Sequence, residues 1–528
     1  IERCTFSGNV ARANGAGMYS ESSSPLLVDC TLDHNVAQGG AGAIFIMSSF
    51  LSATGCVFTA NHAGFGGAIY SDVTVNSSGS MVITACRFAG NTAGEGGAID
   101  YPVGSSHVNN CVFEDNVSDG SGGGICASKG INLENCSFDR NVANGGGGVS
   151  AAGGSTLAKC MFRNNRAVVN PGADETGWGG GLQYNGGSAT IDSCSFEGNT
   201  AESSGGGISF YLVSSEVTGC SFSGNTAGQG GGVYAWFSSQ PRFARCVFSG
   251  NKATTAEGGG VYHISLGTPF FSRAEFADCS FSGNSAATNG GAVSNDDAEI
   301  SLLRCIFDGN TAGQDGGGFI SVKGGWLKPP SLDHCEFYNN AAVGRGGAVM
   351  LNRLDISQLV SCTLAGNTAS TGGGLYCVEP GASGLTLQNC TLYSNRAESG
   401  QGGGIAMELV LTQASLNMQN TIIASSSLGE AVYRTGEYWS DQISCCDFYG
   451  NAGGDWTGSL EGYAGLNGNL SVDPLFCHPE NYIFMLQPGS PCDQDESGCG
   501  LIGAWPAGCS TRAKGMNVLW HRPVRVRR

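Results

Sequence analysis

Apolar residues two apart recur along the chain, as Cys4 and Phe6, Cys56 and Phe58, Cys220 and Phe222, and Cys305 and Phe307. A two-residue period sets both side chains on one face of an extended strand and the residue between them on the other. Two further runs follow in each unit. One carries an aliphatic residue after glycines, as in Gly17-Met18-Tyr19, Gly232-Val233-Tyr234 and Gly374-Leu375-Tyr376. The other runs into the next cysteine, as in Leu26-Leu27-Val28-Asp29-Cys30. Three strands per unit are therefore predicted. Helices fit poorly, because the 87 glycines interrupt nearly every unit, and each costs roughly 1 kcal/mol in a helix interior relative to alanine.

The unit repeats. Its cysteine falls at 4, 30, 56, 86, 111, 136, 160, 194, 220, 246, 279, 305, 335, 362 and 390, so fourteen intervals cover 386 residues with a mean of 27.6. Such a period points to a solenoid in which each unit buries its apolar face against its neighbours. The fold expected is all-β, a single-stranded parallel β-helix of seventeen or eighteen coils, with ladders about 4.8 Å apart and a rod on the order of 80–90 Å long. Residues 1–472 read as repeats, 473–511 as a C-terminal coil or cap, and 512–528 as a basic flexible tail.

Five residues after each cysteine stands an asparagine: Asn9, Asn35, Asn61, Asn91, Asn116, Asn141, Asn165, Asn199, Asn225, Asn251, Asn284, Asn310, Asn340, Asn367 and Asn395. Asparagine tolerates left-handed backbone angles and bonds neighbouring backbone, which suits the corner between two strands. Stacked asparagines would also bond one another, and the row reads as an internal ladder rather than a ligand site. The cysteines lack metal-site spacing, and parallel stacking sets their Cβ atoms slightly too far apart for a relaxed disulfide. A reduced, buried stack is expected. In contrast, Cys477, Cys492, Cys499 and Cys509 lie in proline- and glycine-rich turns, where one or two disulfides would suit an extracytoplasmic protein.

The formal charge of −18, from 25 basic and 43 acidic residues, argues against nucleic acid as a partner. No stretch reaches the length of an apolar membrane span. The chain begins inside a repeat, which suggests a processed chain or a fragment.

Candidate chemistry lies in loops and on the outer face. Length variation concentrates in loops bearing Tyr262-His263, Pro269-Phe270-Phe271 and Trp326, and in the insertion from Val168 to Gly177. One residue after the inward aliphatic, Tyr19, Phe45, Tyr70, Tyr234, Tyr262 and Tyr376 form a row, with Trp236 nearby. Alternation points these rings outward, where they could stack on sugars or simply occupy strand positions that favour aromatics. Asp296, Asp297 and Glu299 share one coil and Asp308 and Asp315 the next. Paired carboxylates could hydrolyse a glycoside, and clustered ones could hold calcium; otherwise they are surface charge. No cofactor is expected, and calcium is the one ion such a cluster could take.

Over residues 1–455 the Gly-Gly-aliphatic and Phe-x-x-Asn elements, as in Phe6-Ser7-Gly8-Asn9, Phe58 to Asn61, Phe88 to Asn91 and Phe222 to Asn225, resemble repeats of the polymorphic outer-membrane protein family. Leu32, Leu364 and Leu392 replace the phenylalanine. That resemblance implies a right-handed helix, surface adhesion and export by a C-terminal β-barrel, but nothing after residue 455 reads as a barrel. Asp473-Pro474-Leu475-Phe476 and Pro488-Gly489-Ser490-Pro491 look instead like the last coil of secreted bacterial β-helix proteins. The wider group includes pectate lyases and polygalacturonases, whose catalytic residues match no positions here. The resulting expectation is an extracellular or surface-displayed rigid binding module for glycans or a cell-surface protein. The rival is a lyase or hydrolase acting on an acidic polysaccharide.

Overall fold

A computed structural model describes residues 1–72, 80–101, 106–170, 176–265, 272–322, 329–352, 357–378, 384–409, 414–436 and 439–509. Trp326, Pro269-Phe270-Phe271, Asp174, Glu175 and the basic tail lie outside them. The chain forms two compact units, Ile1–Ser301 with Cys305–Lys328, and Leu302–Arg304 with Pro329–Arg528.

In the first unit twelve three-residue strands, from Thr5–Ser7 to Ile306–Asp308, carry the Cys-x-Phe pattern and pair in parallel. Phe162 aligns with Phe196 and Phe196 with Phe222. Rings from Phe58 through Phe307 stack face to face at 4.6–5.0 Å. This is the core, dispersion-bonded along its whole length.

The corners differ from expectation. Every ladder asparagine has ordinary backbone angles, while the residue before it is left-handed, for example His34 at φ 52° and Arg140 at φ 54°. The residue before each repeat cysteine is left-handed as well, including Asp29, Lys159 and Arg245. Two such residues bracket each Cys-x-Phe strand and turn the chain at both of its ends. Each non-glycine one costs roughly 1–2 kcal/mol, which the ladder offsets. Asn199 Oδ1 accepts from the Asn165 amide and side chain at 3.0 Å, and its Nδ2 donates to Phe162 O at 2.9 Å and Asn225 Oδ1 at 3.0 Å.

A short parallel strand follows each asparagine in this unit, from Val10–Ala11 to Thr311–Ala312, where the sequence suggested only a bend. The two remaining predicted strands prove to share one sheet. In two coils they fuse outright, as Leu182–Asp192 and Ile208–Thr218. The repeat cysteines from Cys30 to Cys390 are free and buried, each thiol directed at main-chain oxygen, as Cys194 Sγ to Asp192 O at 3.4 Å.

One interior site breaks the apolar pattern. His263 is fully buried; its Nδ1 lies 2.9 Å from Asn295 Oδ1, and Asn295 Nδ2 donates to Ser321 Oγ and Ala298 O. That network puts the ring proton on Nδ1 and leaves Nε2 a buried lone pair without a partner. Burial pushes the imidazole down to about 4, against the smaller raising effect of the Asn295 bond. An unfolded histidine titrates near 6.5, so the unfolded chain binds more protons below that pH, and stability falls as pH drops from 6.5 towards 4. Denaturant titrations at pH 7 and pH 4 are expected to show wild type losing about 3 kcal/mol more than His263→Gln. Equal losses would remove His263 as an acid-sensitive point.

Among the described residues the second unit has five strands of the Cys-x-Phe type, in which Phe337, Leu364, Leu392, Ile423 and Phe448 align. After the last of them the segment up to residue 472 covers that coil, with Trp456 stacked on Phe448 at 4.0 Å and Leu460 buried. Residues 475–509 then run back along the outside of the same strands. Trp505 Nε1 donates to Thr363 Oγ1 at 2.9 Å, and Tyr393 packs on Phe476 and Phe484. Disulfides join Cys477 to Cys509 and Cys445 to Cys499, while Cys492 is free and buried against Asp447.

Candidate functional site

Each glycine turn in the first unit brings two outward residues to one face, five positions apart. One precedes the glycines; the other follows the inward aliphatic. The second of these rows runs in register through Tyr19, Phe45, Tyr70, Asp100, Cys126, Ser150, Gln183, Ser209, Tyr234 and Tyr262. Its companion includes Phe65 and Glu95, then Ser121, Gly145, Trp178 and Ser204. The row was legible as aromatic only at its two ends. Between them the side chains shrink, and a cavity of about 490 Å³ opens over Glu95, Asp100, Cys126 and Ser150, with Phe65 and Tyr70 at one wall and Asn185 towards the other.

The turn itself places the two carboxylates. Gly96 adopts φ +61°, and a Cβ there would sit 2.4 Å from Ile99 O and 2.6 Å from Asp100 Cβ. The Ser121 amide donates to Glu95 Oε2 at 2.7 Å. Burial, then the neighbouring Glu95 charge, push the Asp100 carboxyl up to about 7, with a smaller opposite effect from the Cys126 thiol. Burial also raises Glu95, against the Ser121 bond, and raises the Cys126 thiol, with the Asp100 and Glu95 charges adding to it. A thiol so placed is a poor nucleophile. Two carboxyls of elevated pKa in a cleft mark a place where charge or protons can be handled.

Three to five coils beyond Asp100, five aromatic rings meet. Tyr211 lies 4.7 Å from Trp236 and 5.2 Å from Phe237; Trp178 meets Trp236 edge-on at 5.0 Å, and Tyr234 stands 6.2 Å from it. The Trp236 Nε1–H is buried without an acceptor.

The predicted aromatic row points outward by alternation but is mostly covered. Phe45, Tyr234, Tyr262 and Tyr376 are buried, whereas Tyr19 is 48% exposed. Neighbouring rings do the covering: Phe45 stacks on Tyr19 at 5.2 Å and leans on Tyr70 at 5.5 Å. In the second unit Arg345 lies over Tyr376, whose hydroxyl donates to Glu408 Oε2 at 2.5 Å.

The acidic group identified from sequence is divided. Asp296 accepts from the Tyr262 hydroxyl at 3.4 Å, and burial followed by the Glu257 charge raises it. Asp297 and Glu299 follow around a left-handed bend at Asp297. Asp315 precedes Gly316, its amide bonded to Asn289 Oδ1. Asp308 ends a Cys-x-Phe strand in a different sheet. Glu257, missed in the sequence, is the carboxylate whose charge raises Asp296, and it accepts from Ser294 Oγ at 2.6 Å and Asn289 Nδ2 at 2.9 Å. Glu95 and Asp100 were missed too. Their signal was the five-residue offset across the glycine turn, which becomes visible only when the rows are aligned coil by coil.

No group of three or more His, Cys, Asp or Glu side chains among the described residues is placed to hold a metal ion, and no described helix is long and apolar enough to cross a membrane. None of the curated proteins matches the chain. The model of the right handed beta helix region matches residues 1–167, 174–325 and 271–440, well over half of the sequence, and the chain belongs to that family.

Proposed function

We propose that the first unit binds an extended glycan along its lateral groove, in a protein that is secreted or displayed on a bacterial surface. The observation that carries this reading is the continuity of the groove. Trp178 and Tyr234 of the aromatic cluster sit on the same in-register rows as Glu95 and Asp100, and Tyr211 and Trp236 continue the adjacent row that starts at Ala152 and Asn185 in the pocket lining. Coils recur about every 4.8 Å, close to the length of one pyranose unit, so successive sugars meet successive coils. The two disulfides support an extracytoplasmic setting, and surface display is what the polymorphic outer-membrane repeats imply. Affinity electrophoresis against soluble glycans tests it. Phe65→Ala and Tyr211→Ala are each expected to weaken binding about tenfold, as loss of an aromatic anchor does. Tyr449→Ala, a half-exposed ring of the second unit, is expected to change nothing. Retention of full affinity in both groove variants would sink the proposal.

A second reading, glycoside hydrolysis, is favoured by the Glu95–Asp100 pair. Asp100 would give its proton to the glycosidic oxygen as that bond breaks, while Glu95 takes a proton from the water that adds to the anomeric carbon. A lyase is less well served, because no lysine or arginine is among the described residues lining the pocket. Asp100→Asn is expected to lower the release of reducing ends by about 10²-fold or more. Cleavage that persists in this variant would exclude Asp100 as the acid.

A further inference from the structure

The groove has a sign. Glu95 and Asp100 are its charged lining residues, and Phe65, Tyr70, Cys126 and Ser150 complete the floor and one wall. None of the first-unit positions that align with them in the two rows, from Phe65 to Gln229 and from Tyr19 to Tyr262, is a lysine or arginine. A polyuronate laid here would bring a carboxylate on each sugar against two half-desolvated carboxyls, with no lysine or arginine among the described lining residues to separate them. Like charges at such distances repel strongly in a cleft.

Resting on the glycan-binding reading, we infer that the ligand is an amine-bearing polysaccharide, whose free ammonium group is received between Glu95 and Asp100 while the flanking sugars lie on Phe65 and towards Tyr211 and Trp236. An ammonium donates three hydrogen bonds and accepts none. Glu95 already has one oxygen engaged by Ser121, which leaves acceptor capacity facing the cavity. Burial of the pair disfavours its own ionisation, and an arriving cation relieves that cost, so binding takes up no net charge in the pocket and is coupled to proton release from Asp100. A neutral N-acetylated sugar carries no charge and offers one amide N–H donor in place of three, together with a carbonyl that the carboxylates repel.

The test compares three hexamers by calorimetric titration at pH 6: β-1,4-linked glucosamine, its fully N-acetylated counterpart, and galacturonate. Wild type is expected to bind the glucosamine hexamer at least tenfold more tightly than the acetylated one, and the galacturonate hexamer least. The Glu95→Gln/Asp100→Asn double variant, with its melting curve confirming the fold, is expected to lose that preference. Because it changes only two of the 43 acidic residues, a preference that survives in it would come from bulk charge and would overturn the inference. Equal affinity for the amine and acetylated hexamers, still weakened by Phe65→Ala, would also overturn it while leaving the groove as a glycan site. Failure of every hexamer to bind would overturn both.

Discussion

Asn199→Ala is expected to destabilise the first unit by about 3–5 kcal/mol, read as a lowered urea midpoint. The substitution removes four hydrogen bonds and strands the groups on either side: the Asn165 amide and carboxamide, and the Phe162 carbonyl. All are buried, and each unpaired buried group costs about 1–3 kcal/mol. Water has no route to replace the lost partner without opening the coil. Asn9 is the contrasting position, because it is exposed and donates to Asn35 without receiving from a further asparagine. Asn9→Ala should cost under about 1 kcal/mol. If the two substitutions cost the same, the ladder is a stack of independent bonds and not a buried network.

The second large effect concerns the ring stack. Phe196 is fully buried between Phe162 at 4.8 Å and Phe222 at 5.0 Å. Phe196→Ala should cost about 3–5 kcal/mol, because the neighbouring rings are fixed by their own strands and cannot collapse into the void. Phe196→Leu should cost no more than about 1.5 kcal/mol. The chain already carries leucine at this register, fully buried, at Leu32, Leu364 and Leu392. Thermal or urea denaturation of the two variants separates the outcomes. A leucine variant as damaged as the alanine one would mean that ring stacking, and not volume, holds these coils together.

The parallel helix, its Cys-x-Phe strands and the asparagine ladder were legible because each rests on a period that survives in one dimension. Two-residue alternation reports a face, and a constant offset from cysteine to asparagine reports a register. The corners were harder. The left-handed residue is the one before the asparagine, and its identity varies from Gly8 to His34 to Arg140, so residue type carries almost no signal there. Strands of two residues such as Val36–Ala37 are too short for any alternation to show. The candidate site was hidden for a related reason. Glu95 and Asp100 are separated in the chain by glycines and an inward isoleucine, and their meeting depends on a turn. Asp308 showed the reverse: near the acidic group in sequence order, it belongs to another face.

Because the ladders of each coil are carried by its main chain, its turn residues and its core residues, the first unit separates what builds it from what its two outward positions present. Exchanging the pair on one coil changes what that coil presents and leaves the main-chain ladders of its neighbours intact, and duplicating a coil lengthens the groove by about 4.8 Å. Selection can therefore act on the groove as on a row of movable type, one character at a time, at a pitch that the backbone has already set.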